Sequence, residues 1–172
     1  MEIIHFKGAD KILKDNHMYK DVISTLKYVE DVLFATLHKR ELLRQALEEM
    51  GWRPEDNGAL RFLDGRRYEY KGFKRDIAIE GNFSAYEFIL EGLLRLQIGF
   101  DKGLIQAGIL MLTNQRSEKS SYGSSVELAK SEIEMLYPTI SLPVSIAFLD
   151  LGHPMVLEEG GDSDGVSVSS DE

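Results

Sequence analysis

The sequence predicts an α/β fold, a mixed β-sheet core flanked by α-helices. Three observations carry that expectation. Apolar residues recur at three and four in some segments and at two in others, in the order α, α, β-meander, α, β, α, β. The run 104–112 is apolar enough for a strand covered on both faces. The 172 residues are 43% hydrophobic and 28% charged, enough to bury one core without staples.

Residues 1–14 read as a short strand or lead-in, ending in Ala9-Asp10-Lys11-Ile12-Leu13. Asp15 or Asn16 can cap a helix carrying Val22, Ile23, Leu26, Val29, Leu33 and Leu37 on one face. That helix packs a core or serves a dimer interface. A second helix is expected from about Arg40 to Met50, stopped by Gly51. After the loop at 52–58, Leu60, Phe62, Tyr68 and Tyr70 follow a period of two. They flank turn residues at Asp64-Gly65 and near Gly72, and the meander's last strand runs from Ile77 to Phe83. Ser84-Ala85-Tyr86-Glu87 matches a capping box and opens a helix to about Gly99. A strand at 104–112, a polar loop from Asn114 to Gly123, a helix ending near Tyr137 and a strand at 140–149 complete the domain. The domain is assigned to 1–157. Residues 158–172, rich in Gly, Ser, Asp and Glu, are expected to be a disordered acidic tail.

Charge and composition exclude several classes. There is no cysteine, hence no disulfide and no thiolate metal site. His5, His17, His38 and His153 are scattered and show no zinc spacing. No apolar run approaches the ~20 residues of a membrane span, and the first residues lack a signal-peptide core, so a cytoplasmic protein is expected. Net charge is −9, but the tail holds six acidic residues and no basic one, leaving the body with 23 acidic against 20 basic. A near-neutral body with a local basic patch can bind a phosphate backbone. Arg66, Arg67, Lys71, Lys74 and Arg75 form such a patch around Tyr68, Tyr70 and Phe73. The patch is either a backbone-binding hairpin or a solvated meander with aromatics in the core.

The chemistry concentrates in Asp76-Ile77-Ala78-Ile79-Glu80-Gly81-Asn82-Phe83-Ser84-Ala85-Tyr86. Glu80 and Asn82 share a strand face, because side chains alternate. Mg²⁺ takes one or two carboxylates plus water and phosphate, and hydrolysis of a phosphodiester uses such an ion. Glu80 with the Gly81 carbonyl supplies part of such a site, and Asn82 is placed to orient a water. The alternative is that Glu80 and Asn82 form the solvent face of a half-exposed strand.

Several boxes resemble, in colinear order, the BglII-type restriction endonucleases of the PD-(D/E)XK superfamily, relatives of BamHI. Ala9-Asp10-Lys11-Ile12-Leu13 is similar to the family's N-terminal box. Lys74-Arg75-Asp76 through Tyr86 is similar to its active-site strand, Ile105 to Thr113 to the following core strand, and Leu142-Pro143-Val144-Ser145-Ile146 to the late one. The resemblance implies a restriction-endonuclease-like fold and a homodimeric, Mg²⁺-dependent enzyme, with Mn²⁺ able to substitute. Its substrate would be double-stranded DNA, cut at a short palindrome to leave a 5′-phosphate.

Glu80 falls on the family's metal-binding glutamate, Asn82 on a glutamine position, and Ser84 on a serine close to DNA. The family's first metal aspartate aligns on Lys71, which cannot ligate a cation. Glu69, one alternation earlier on the same face, is the natural substitute, with Asp64 as a second candidate and Asp76 as the residue ending the hairpin. The expected site is therefore Glu69, Glu80 and Asn82 for catalysis and Glu69, Glu80 and Gly81 for metal. Lys71, Lys74, Arg75, Ser84, Arg116 and Lys119 are the expected DNA contacts. Two other readings stay open: a catalytically degenerate DNA-binding or regulatory protein of the same fold, and a small interaction domain unrelated to DNA.

Overall fold

The computed structural model describes residues 1–53, 60–65, 67–83, 88–114 and 126–152. Ten elements follow in order: β1 (Glu2–Phe6), α1 (Ala9–Asp15), α2 (Tyr19–Leu33), α3 (Lys39–Glu49), β2 (Gly72–Lys74), β3 (Ile77–Gly81), α4 (Phe88–Asp101), β4 (Ala107–Thr113), α5 (Val126–Met135) and β5 (Val144–Leu149). The strands form one mixed sheet in the order β1-β5-β4-β3-β2. β3, β4 and β5 run parallel, while β1 and β2 close the edges antiparallel.

Each strand shows two faces to two helical layers. On β3, Ile77 and Ile79 enter a core built with Val22, Leu26, Leu33, Leu43 and Leu47 of α2 and α3. Ala78 enters the opposite core, with Phe88, Leu93 and Leu96 of α4 and Ile133 of α5. The parallel strands are covered on both sides, which explains why β3 and β5 are buried at every position and β4 at all but Thr113.

Several local expectations are corrected. The first long helix starts after Met18 without a side-chain cap, rather than at Asp15 or Asn16. It ends at Leu33, because the chain turns extended at Phe34 and the Ala35 amide bonds to the Leu151 carbonyl (2.7 Å). Leu37 is thereby left 68% exposed. Val22, Leu26, Val29 and Leu33 of α2 are core, and Tyr19 packs partly buried against them. The hairpin turn is Arg75-Asp76, both at positive φ (46° and 63°), as a two-residue hairpin loop requires, and not near Gly72. Gly72 lies inside β2, where a Cβ would stand 3.1 Å from the Trp52 Cβ. Gly51 does stop α3, with φ of 77°. The capping box at 84–87, the loop at 115–125 and the tail lie outside the described residues.

Candidate active site

A cleft of about 660 Å³ opens at the C-terminal end of β3, between the edge of the sheet, α3 and α4. Glu69, Lys71, Glu80, Gly81 and Asn82 all line it. Five of the residues singled out from sequence are thus brought to one place. Lys74 and Arg75 are not among them. They sit at the other end of β3, about 13 Å along the strand by its rise per residue. The Lys74 ammonium is held there by the Asp21 carboxylate (2.7 Å) and the Met50 carbonyl (3.3 Å), bracing β2 against α2 and α3. Asp64 is exposed and Asp76 is part of the hairpin turn, so neither reaches the cleft. Ser84, Arg116 and Lys119 lie outside the described residues.

Glu80 is fully buried, which removes the reading of a solvent-facing strand position. Alternation places it on the Ala78 face, where α4 covers the sheet. Arg95 of α4 meets it there, donating from Nε to Glu80 Oε1 at 3.1 Å. The other oxygen, Oε2, is buried with no hydrogen-bond partner among the described residues. Burial pushes the Glu80 carboxyl up to about 7, against the opposing pull of Arg95 and Lys71. Burial also lowers the Lys71 ammonium, with Arg95, Arg40 and Arg53 acting in the same direction and Glu80 against it.

The Arg95 guanidinium does more than neutralise Glu80. Its Nη1 donates to the Arg67 carbonyl (3.2 Å) and its Nη2 to the Glu69 carbonyl (2.9 Å), while its plane lies over Phe62, 4.9 Å from the ring centre. One side chain therefore ties the backbone bearing Glu69 to the carboxylate of Glu80. Arg95 was not read from the sequence, although a signal was present. Phe88, Gly92 and Arg95 stand at i, i+4 and i+7, so a charge lies on the buried stripe of α4. A buried arginine needs an acidic partner.

Glu69 forms an isolated bridge with Arg61, whose Nε lies 3.1 Å from the Glu69 carboxylate. Arg61 is 58% exposed, so the pair is worth about 0–1 kcal/mol and exchanges readily for a stronger cation. A side chain at Gly81 would be crowded, since a Cβ there would stand 3.0 Å from the Met111 Cβ and 3.2 Å from its carbonyl oxygen. Among the described residues no group of three or more His, Cys, Asp or Glu is arranged to hold a metal. The donors that are present still suit Mg²⁺, which commonly takes one or two carboxylates and completes its shell with water and phosphate. The unpartnered Glu80 Oε2 is the observation that makes this fit.

A model of the restriction endonuclease BglII/BglIII family matches residues 1–146. The chain belongs to that family. Among solved structures it is similar to restriction endonuclease BglII complexed with a DNA 16-mer, with TM-score 0.60, 17% identity, and 91% of this chain and 77% of that chain covered. Free BglII matches at TM-score 0.55 and 18% identity, over 91% and 80% of the two chains. A search of curated proteins finds no significant match. The structural likeness establishes the restriction-endonuclease fold, and the family match establishes the kinship with DNA-cleaving enzymes. No helix among the described residues is long and apolar enough to cross a membrane.

Proposed function

We infer that this protein is a Mg²⁺-dependent type II endonuclease of the PD-(D/E)XK kind, akin to BamHI as well as BglII, that cuts double-stranded DNA at a short palindrome. The single observation that carries the reading is Glu80. Its carboxylate is buried at the end of a central strand, held from one side by Arg95, and has its second oxygen unengaged beside a basic cleft. Burying a carboxylate this way opposes stability, as functional sites often do.

Glu80, Glu69 and the Gly81 carbonyl would hold the metal. Such an ion, when bound, polarises the phosphate and acidifies the attacking water. Arg95 keeps the Glu80 carboxylate in one orientation and fixes the Glu69 backbone beside it. Asn82, the residue after β3, lines the same cleft and would offer its amide to orient the nucleophilic water. Lys71, half-buried in the same cleft, places a cation against the phosphate and offsets its charge. A symmetric site calls for a homodimer. Leu90 and Leu94, one turn apart on α4 and 52% and 47% exposed, are the apolar pair we assign to that contact. The protein is placed in the cytoplasm.

One observation favours a second reading, a DNA-binding protein that does not cut. By the family resemblance Lys71 falls on the position of the first metal aspartate, and the Glu69 carboxylate is engaged with Arg61. Incubating supercoiled DNA with the protein and Mg²⁺ or Mn²⁺, beside Glu80→Ala, separates the two. The nuclease reading expects linear products that vanish with Glu80→Ala. Intact DNA in both metals, with binding retained, leaves the second reading.

A further inference from the structure

The cations expected from sequence to grip DNA do not all line the cleft. Lys74 pairs with Asp21, and Arg75 lies in the turn at the far end of β3. The wall facing the carboxylates is supplied instead by α3, which contributes Lys39, Arg40 and Arg44 to the cleft. Around the whole cleft, seven cationic side chains face three carboxylates among the described residues, so its field attracts anions.

The charge layout of α3 bears on the same wall. Its first turn carries Lys39 and Arg40 beside Glu41, and its last turn carries Glu48 and Glu49 with no basic residue. The acids at the C-terminal end oppose the helix dipole, and at the N-terminal end two cations outnumber the one favourable acid. Arg40 is exposed and unpaired among the described residues, and Arg44 is paired only with the exposed-side Glu48 at 3.5 Å. The two arginines stand one turn apart on the cleft side, about 6 Å along the axis. Arg53, anchored through Nη1 to the Tyr70 and Lys71 carbonyls (3.3 and 3.1 Å), continues the basic wall toward Lys71.

We propose that the N-terminal half of α3, through Arg40 and Arg44 and continued by Arg53, is the track that holds the DNA phosphate backbone across the cleft from Glu80. This inference rests on the nuclease reading of the cleft. The track gives affinity and register and carries no base readout, so it acts on every sequence alike.

The test is equilibrium binding of a short random-sequence DNA duplex over a range of salt, with and without Mg²⁺. Arg40→Gln/Arg44→Gln is compared with Lys20→Gln/Lys27→Gln, an equal charge change on exposed positions of α2. Each lost phosphate contact lowers the slope of log affinity against log salt by about 0.9. The α3 variant is expected to lose about two from that slope, the α2 variant to keep the wild-type slope, and Arg40→Lys/Arg44→Lys to restore it. Equal slopes for wild type and the α3 variant would overturn the track while leaving the nuclease reading standing. Wild-type protein without salt-dependent DNA binding in either condition would overturn both.

Discussion

Replacing Arg95 with methionine perturbs the site at its structural keystone, and the cost is expected to depend on pH. In the wild-type protein Arg95 donates to Glu80 Oε1 and to the carbonyls of Arg67 and Glu69. Methionine fills much of the volume over Phe62 and makes none of these bonds. At about pH 8, above the Glu80 value of about 7, the wild-type carboxylate is ionised and paired, whereas the variant loses Arg95's opposing pull, so burial pushes its carboxyl further up and holds the proton. Keeping a proton that the wild type gives up costs at most about 1.36 kcal/mol per pH unit above that value. At about pH 5 Glu80 holds its proton in both proteins, and that component disappears. What remains is the loss of two bonds onto carbonyls beside the open cleft, about 1–2 kcal/mol. Urea unfolding at the two pH values measures the difference, expected to be larger at the higher pH by up to about 1.4 kcal/mol. Adding Glu80→Gln to the variant removes the charge and should abolish the pH-dependent part. A destabilisation that is the same at both pH values would refute the assignment of Arg95 as the counter-charge of Glu80.

Further outcomes follow from the same contacts. Because the folded Glu80 value is raised from about 4.5 to about 7, the folded protein keeps a proton that the unfolded chain loses in that window. Its stability therefore falls as pH rises across it, by up to about 3 kcal/mol at 1.36 per unit, and denaturation curves of Glu80→Gln should lack this slope. Gln97, 4% exposed, accepts from the Ser141 and Leu142 amides at 2.8 and 2.9 Å. Gln97→Ala is expected to lower stability by about 2–4 kcal/mol while leaving cleavage unchanged well below the melting temperature. Lys74→Met should cost about 1 kcal/mol through Asp21 and leave the salt slope of DNA binding untouched, which a gel-shift series would read. Leu90→Glu/Leu94→Glu should convert a dimer to monomer in sedimentation equilibrium, and an unchanged mass would remove α4 from the interface.

The parts of the fold legible in the sequence are those that one pattern decides. The stripe of Val22, Leu26, Val29 and Leu33 gives α2, Gly51 ends α3, and the unbroken apolar run gives β4 at the centre of the sheet. Glu80, Gly81 and Asn82 were also legible as a cluster, since alternation and neighbouring residues suffice. What alternation could not supply was burial. A carboxylate opposite Ile77 and Ile79 reads as solvent-facing unless one knows that α4 covers that face. Gly72 reads as a turn because its close packing against Trp52 is a tertiary fact. The Arg75-Asp76 loop lacks the Asn-Gly or Asp-Gly signal of its class, so the sequence puts the turn near Gly72 and leaves Asp76 only as the end of the hairpin. Lys74 reads from sequence as one cation of a basic patch, and its pair with Asp21, 53 residues away, is a tertiary contact that no local pattern announces.

Sequencing the ends of fragments produced from a mixed linear DNA pool in Mg²⁺ tests the central claim most directly. Cleavage built on Glu80 at a dimeric site predicts 5′-phosphate ends that share one two-fold symmetric sequence, all lost in Glu80→Ala. Fragment ends that persist in Glu80→Ala, or wild-type protein that binds the pool and cuts nothing in Mg²⁺ or Mn²⁺, would contradict it.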